Sequence, residues 1–180
     1  MSYKILKTIS MDLTFASINR AIVEVNRFKR ELERMCEDLA RNLTKEGIEI
    51  AKMQVVSMDA WFTGELEDSI KGVYFAEEHC GVIYTDCPHA LFVEYGTGIV
   101  GADNPHPEAA EAEWDYDVNG HGEQGWWYPA PFGWYIPRKT TSQYAWTKGM
   151  PSRPFMYNTM RWIEEAAERE GIKMFRGYAK

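Results

Sequence analysis

Apolar residues recur in steps of three and four along the first part of the chain, at Ile18, Ala21, Ile22, Val25, Phe28, Leu32, Met35, Cys36, Leu39 and Leu43. That period predicts one amphipathic helix of about 40 Å, with Ser17 placed to cap it. Its opposite face carries Arg27, Lys29, Arg30, Glu33, Arg34, Glu37 and Asp38. Such a stripe packs on the chain's own sheet, its commoner use, or forms a coiled-coil seam. Gly47 predicts a break or loosening before IEIAKMQV, which can resume as helix. Upstream, short apolar/polar alternations over 3–15 predict a strand.

Downstream the pattern changes. WFTGELEDS at 61–69 predicts a turn at Thr63-Gly64 and a polar approach to a strand. Ile70 to Ala76 and Cys80 to Thr85 are β-branched and aromatic, and Glu77-Glu78-His79 between them predicts an antiparallel hairpin. Pro88 to Tyr95 reads as a short helix, with Pro88 in its first turn and Gly96 just past its end. From Gly98 to Gly149 no helical period survives, and five of the seven tryptophans fall there. This is read as a long aromatic-rich insertion, about 101–148, with short strands at Gly125 to Tyr128 and Gly133 to Ile136. Pro154 then opens a final helix with an apolar face of Phe155, Met156, Met160, Ile163 and Ala167, and a small basic tail follows from Gly171. The expected fold is α+β. An antiparallel sheet is packed by a long N-terminal and a C-terminal helix, within one domain over 1–180.

Charge and composition narrow the function. Lysine and arginine number 20 against 27 acidic residues, a net charge of −7, which argues against free-standing nucleic-acid binding. No 18-residue apolar run predicts a membrane span, and the N-terminus does not read as a signal peptide. Cys36, Cys80 and Cys87 follow no metal spacing and read as reduced thiols of a cytoplasmic chain. No GxSxG, HExxH or Walker motif occurs. Gly96-Thr97-Gly98 resembles a phosphate loop only superficially and reads as a glycine-permitted turn. Asp115, Asp117, Asn119 and Gly120 match the first half of an EF-hand loop, but its twelfth position is Trp126, so Asx turns are expected instead. His106 with Asp103, or His121 with Glu123, offers two zinc ligands, too few for a site. The reading is of a non-enzyme with no cofactor and no metal.

Three segments in order carry a resemblance. Thr63-Gly64-Glu65-Leu66-Glu67-Asp68-Ser69-Ile70 resembles a TGxLxxSI segment, and Ala90 to Gly98 an A-x-x-VE-aromatic-GTG segment. Arg153-Pro154-Phe155-Met156 resembles the start of a last helix. Together they are similar to the minor virion proteins of long-tailed phages that complete the tail or join it to the head. The resemblance covers about 10–98 and 147–175, with the insertion as the departure. It implies a structural subunit forming a ring, a hexamer or dodecamer, at the neck or the head-proximal tail end. Portal, adaptor or head-completion proteins and tail terminator or tube proteins would be its neighbours, in a virion assembled in the host cytoplasm. DNA would pass through such a ring, and the negative charge would not hold it. Gly64, Glu94, Gly96, Thr97, Gly98, Pro154 and Phe155 would be structural, and Trp114, Trp126, Trp127, Trp134 and Trp146 are candidate interface residues. The alternative is a carbohydrate-binding module using Trp126, Trp127 and Trp134. A metal-dependent hydrolase built on the Asp115 to Glu123 loop ranks third.

Overall fold

The computed structural model describes residues 9–60, 64–129 and 144–178. The long helix forms as its period predicts, over Phe15–Ser57 (α1), about 65 Å at 1.5 Å per residue. It begins before Ser17. The Ser17 backbone N–H donates to Thr14 Oγ1 at 3.3 Å, and Ser17 Oγ accepts the Asp12 N–H at 3.0 Å. Thr14 therefore caps the helix, and Ser17, buried in the first turn, returns a bond to the incoming chain.

Gly47 does not break α1. A Cβ there would collide with Ile83 Cδ1 and stand 2.9 Å from Ile163 Cδ1, so the glycine is what close packing requires. Of the strand expected over 3–15, residues 3–8 lie outside the described residues, 9–14 are irregular and Phe15 begins α1.

The fold is α+β, with small antiparallel sheets, and the chain divides into two compact units. The first comprises Met1–Ile50, Lys71–Tyr84 and Thr159–Lys180. Here the hairpin of β1 (Ile70–Phe75) and β2 (Cys80–Thr85) forms as expected. Gly72 and Gly81 let it approach α1: a Cβ on Gly72 would lie 2.7 Å from Ile48 Cδ1, and one on Gly81 would overlap Thr44 Oγ1. The helix thus packs on the hairpin around Thr44 to Ile48, beyond the end of the predicted stripe at Leu43. Nearer its start, Phe15, Ile22, Val23 and Val25 are each more than half exposed. The final helix, α5, runs over Phe155–Tyr178 and does not end at Gly171. Its buried stripe is Phe155, Thr159 and Ala166, whereas Met160 is exposed.

The second unit comprises Ala51–Ile70 and Thr85–Asn158. It holds α2 (Glu65–Ser69), α3 (Ala90–Tyr95), α4 (Gly98–Asp103), β3 (Trp126–Pro129), β4 (Tyr144–Thr147) and β5 (Gly149–Met150). The polar approach after Gly64 is thus the helical turn α2, and α4 is a helix with no forewarning in the pattern. Antiparallel β3 and β4 set Trp127 opposite Trp146. The strand expected at Gly133 to Ile136 lies outside the described residues. Val55, Leu66, Ile70, Val93, Ala145 and Phe155 form the core. Burying the larger of these side chains contributes about 1.5–3 kcal/mol each.

Candidate functional site

Two of the three resemblance-bearing segments meet in the second unit, around one carboxylate. Glu94 lies on α3 and is 6% exposed. Its Oε1 accepts the Tyr157 N–H at 2.9 Å and the His106 Nε2–H at 3.1 Å, and its Oε2 accepts the Met156 N–H at 2.9 Å. Met156 and Tyr157 stand in the first turn of α5, whose backbone N–H groups have no intrahelical partner. Pro154, the residue before that helix, has no side-chain oxygen with which to cap it. Glu94 supplies the cap from a segment some sixty residues earlier, and its charge also suits the helix's positive end. Ser152 Oγ donates to the Glu94 carbonyl at 2.7 Å, and the Arg153 N–H to the Val93 carbonyl at 2.9 Å. Arg153 Nε reaches the Met58 carbonyl, just beyond α1, at 3.0 Å.

His106 is 3% exposed, and its Nδ1 accepts the Glu108 N–H at 3.0 Å, so the ring proton sits on Nε2, facing Glu94. Tyr95 lies against His106 and stacks on Trp114, with ring centroids 4.3 and 4.9 Å away. Burial first, then the carboxylates of Glu108 and Glu94, hold the Tyr95 phenol above its ordinary pKa. Trp114 Nε1–H donates to the Gly96 carbonyl at 3.1 Å.

The Gly96-Thr97-Gly98 turn binds the returning chain. Gly96 and Gly98 have φ of +81° and +61°, and a Cβ on either would press into backbone, at Met150–Ser152 or Lys148. Thr97 Oγ1 accepts the Met150 N–H at 3.3 Å. The Gly96 and Gly98 N–H groups are spent on the Phe92 and Tyr116 carbonyls, so the turn offers no amide cradle to a phosphate. Gly64, at φ +83°, precedes α2. In that segment Leu66, Ser69 and Ile70 are buried, and Ser69 Oγ bonds the Leu66 carbonyl at 2.7 Å and Thr85 Oγ1 at 2.6 Å.

No family model, curated protein or solved structure matches the chain.

The remaining candidate residues are used locally. Asp117 accepts the His121 and Gly122 N–H groups at 2.8 and 2.7 Å, and those bonds hold its carboxyl below the usual aspartate range. Asp115 accepts the Asp117 N–H at 2.9 Å, so the EF-like string folds as Asx turns. His121 pairs with Asp117 rather than Glu123, and His106 with Glu94 rather than Asp103.

A third grouping escaped the sequence reading, although Cys87-Pro88-His89 was there to be noticed. Ligand atoms of Glu65, Cys87 and His89 lie within 4.8 Å of one another. Cys87 Sγ, however, is 3.2 Å from Nδ1 and 3.3 Å from Nε2. A sulfur nearly equidistant from both nitrogens lies over the ring rather than along either lone pair. The ring would have to turn before one ion could reach nitrogen and sulfur together.

Among the insertion tryptophans, Trp114 is an anchor. Trp126 stacks on His121 at 4.4 Å, covering one ring face, and borders a cleft of about 250 Å³ shared with Phe92, Thr97 and Asp117. Trp127 is half exposed, Trp146 is partly buried, and Trp134 lies outside the described residues. Exposure in β3 alternates residue by residue, so Trp126 and Trp127 face opposite sides.

Proposed function

We propose that this chain is a structural subunit of a tailed-phage virion that joins head to tail or completes the tail, acting by ring assembly. The observation that supports this best is what the motif residues do. Glu94, Gly96, Thr97 and Gly98 fasten backbone belonging to Met150 through Tyr157, so two of the three resemblance-bearing segments clasp each other. The carboxylate that a catalytic reading would prize has its acceptor sites directed at three N–H groups, and no substrate atom needs to be invoked to explain its burial. The exposed apolar residues at the start of α1 suit a chain that meets other protein in use.

Its gene should lie between portal or capsid genes and tail-tube genes. Deleting it should leave DNA-filled heads and finished tails unjoined in lysates viewed by electron microscopy. Intact, infectious particles from the deletion, or a gene outside any phage or prophage, would overturn the reading.

A further inference from the structure

We infer that Glu65, Cys87 and His89 form a zinc site in the second unit. The Cys87 thiolate, one His89 ring nitrogen and the Glu65 carboxylate are the ligands, with water in the fourth position. The inference stands apart from the head–tail reading and does not depend on it.

The main chain brings the three together from two short helices. Gly64, at φ +83°, turns the chain into α2, so Glu65 is that helix's first residue. Ser69, its last, bonds through Oγ to Thr85 Oγ1 at 2.6 Å, and Thr85 Oγ1 also accepts the Cys87 N–H at 3.1 Å. The end of α2 is thereby tied to the segment that carries Cys87. The Cys87 carbonyl accepts the Ala90 N–H and the His89 carbonyl the Val93 N–H, each at 3.1 Å. Cys87 and His89 therefore stand in the turn that opens α3. Ligand atoms of all three residues lie within 4.8 Å of one another. Hydrogen bonds that hold the carriers of the ligands in place are part of what a metal site requires.

The donor set selects the ion. Thiolate and imidazole suit zinc, whereas calcium and magnesium take oxygen ligands. Tetrahedral zinc holds sulfur at about 2.3 Å and nitrogen at about 2.0–2.1 Å, which sets the two about 3.5 Å apart. Cys87 Sγ is already 3.2 and 3.3 Å from the two His89 nitrogens. The pair has to open by roughly 0.3 Å, and the ring has to turn until one nitrogen lone pair points at the ion. Cys87 is 8% exposed and fixed, but His89 is not buried and has room to turn. Glu65 is exposed, and its side chain is long enough to close the remaining distance. The thiol proton leaves to solvent as the metal binds. Glu65 belongs to the first resemblance-bearing segment and His89 directly precedes the second, Ala90 to Gly98. Zinc would fasten these two together, on either side of the hairpin, as Glu94 fastens the second to the third.

The test is a metal titration of the full, reduced chain carrying Cys36→Ser and Cys80→Ser, which removes the two exposed thiols and leaves Cys87. Zinc should bind at one equivalent by calorimetry and raise the melting temperature as its concentration rises. Cobalt(II) in its place reports the donors. It should give a thiolate-to-cobalt charge-transfer band and the strong visible absorption of a four-coordinate ion, both bleached by added zinc. Cys87→Ser should abolish the charge-transfer band. His89→Gln and Glu65→Gln, at positions that are not buried, should each weaken zinc binding about tenfold or more while circular dichroism shows the fold intact. A chain with no saturable binding below millimolar zinc overturns the site, as does a cobalt complex without the charge-transfer band. So does a folded His89→Gln or Glu65→Gln variant that binds as tightly as its parent. Binding that survives Cys87→Ser and is lost with Asp117→Ala would put the metal on the 115–123 loop and overturn it too. The head–tail role is read separately, from unjoined heads and tails in the gene deletion, so either idea can fail while the other stands.

Discussion

Replacing Glu94 by Gln keeps the side chain's shape and removes half of its accepting capacity. The carboxylate takes three N–H groups with two oxygens, Tyr157 and His106 on Oε1 and Met156 on Oε2. A carboxamide has one oxygen, and its NH2 must then face a donor whichever way it turns. With the amide oxygen toward Tyr157 and His106, its nitrogen opposes the Met156 N–H, so that helix N–H is left without an acceptor. His106 cannot relieve the conflict by moving its proton, because its Nδ1 already accepts from Glu108. A hydrogen bond to a charged group contributes about 1.5–3 kcal/mol, and a buried unsatisfied donor costs about 1–3 kcal/mol. These overlap in a single deletion, which gives a net loss of about 2–4 kcal/mol. For a chain of this size that corresponds to a fall in Tm of about 4–16 °C. Differential scanning calorimetry reads it, with Glu94→Ala expected to be worse because all three acceptor contacts go. A Gln variant within about 0.5 kcal/mol of the wild type would refute the idea that the carboxylate holds α5 in place.

Gly47→Ala should destabilise by about 1–3 kcal/mol in urea unfolding despite alanine's better helix propensity, since its Cβ has to displace Ile83 and Ile163; a more stable variant would contradict the packing account. Gly98→Ala should cost clearly more than Gly120→Ala. Both have φ near +60°, but only Gly98 has backbone in the path of the new Cβ, whereas Gly120 has nothing within 4 Å; equal melting temperatures would remove the steric half of the argument. The Asp117 carboxyl titrates below its ordinary range, so the stability it lends is present above the unfolded aspartate pKa and is lost as pH falls through the lower, folded value. The His121 and Gly122 amide resonances should therefore move only in that more acidic window, and movement at an ordinary aspartate pKa would show that the Asx turns are not formed in solution.

What could be read from the sequence was the local part. The α1 stripe announces itself by period, and the hairpin by two β-branched runs about a polar turn. Gly96 and Gly98 announce themselves by occupying positions where positive φ is needed. Gly47 was misread because the propensity of glycine is a local quantity, whereas its use here is set by Ile83 and Ile163, far along the chain. The cap at Thr14 was missed by three residues, since both Thr14 and Ser17 can accept and only the path of residues 9–14 decides between them. Helix α4, GIVGAD, holds two glycines in six residues and has no period to detect. The Glu94 clasp was legible only as two motifs in order. Nothing local says that a carboxylate on one short helix caps another helix about sixty residues on.

The insertion's place in the fold follows from the same clasp. The chain leaves it at Gly98 and returns at Gly149, and these two residues face each other in a bridge, as do Thr97 and Met150. A segment whose ends are fastened together can be long at little cost, because closure entropy grows only with the logarithm of loop length. Trp114 ties the segment back through the Gly96 carbonyl and Tyr95, so part of its aromatic content is spent on holding it to the rest of the second unit. Glu111, Glu113, Glu123 and Trp127 are not spent that way and stand exposed. A surface assembled from a closed excursion can change its chemistry without disturbing Glu94 or the start of α5. That separation lets the clasp at Glu94 stay constant while the chemistry of the excursion varies.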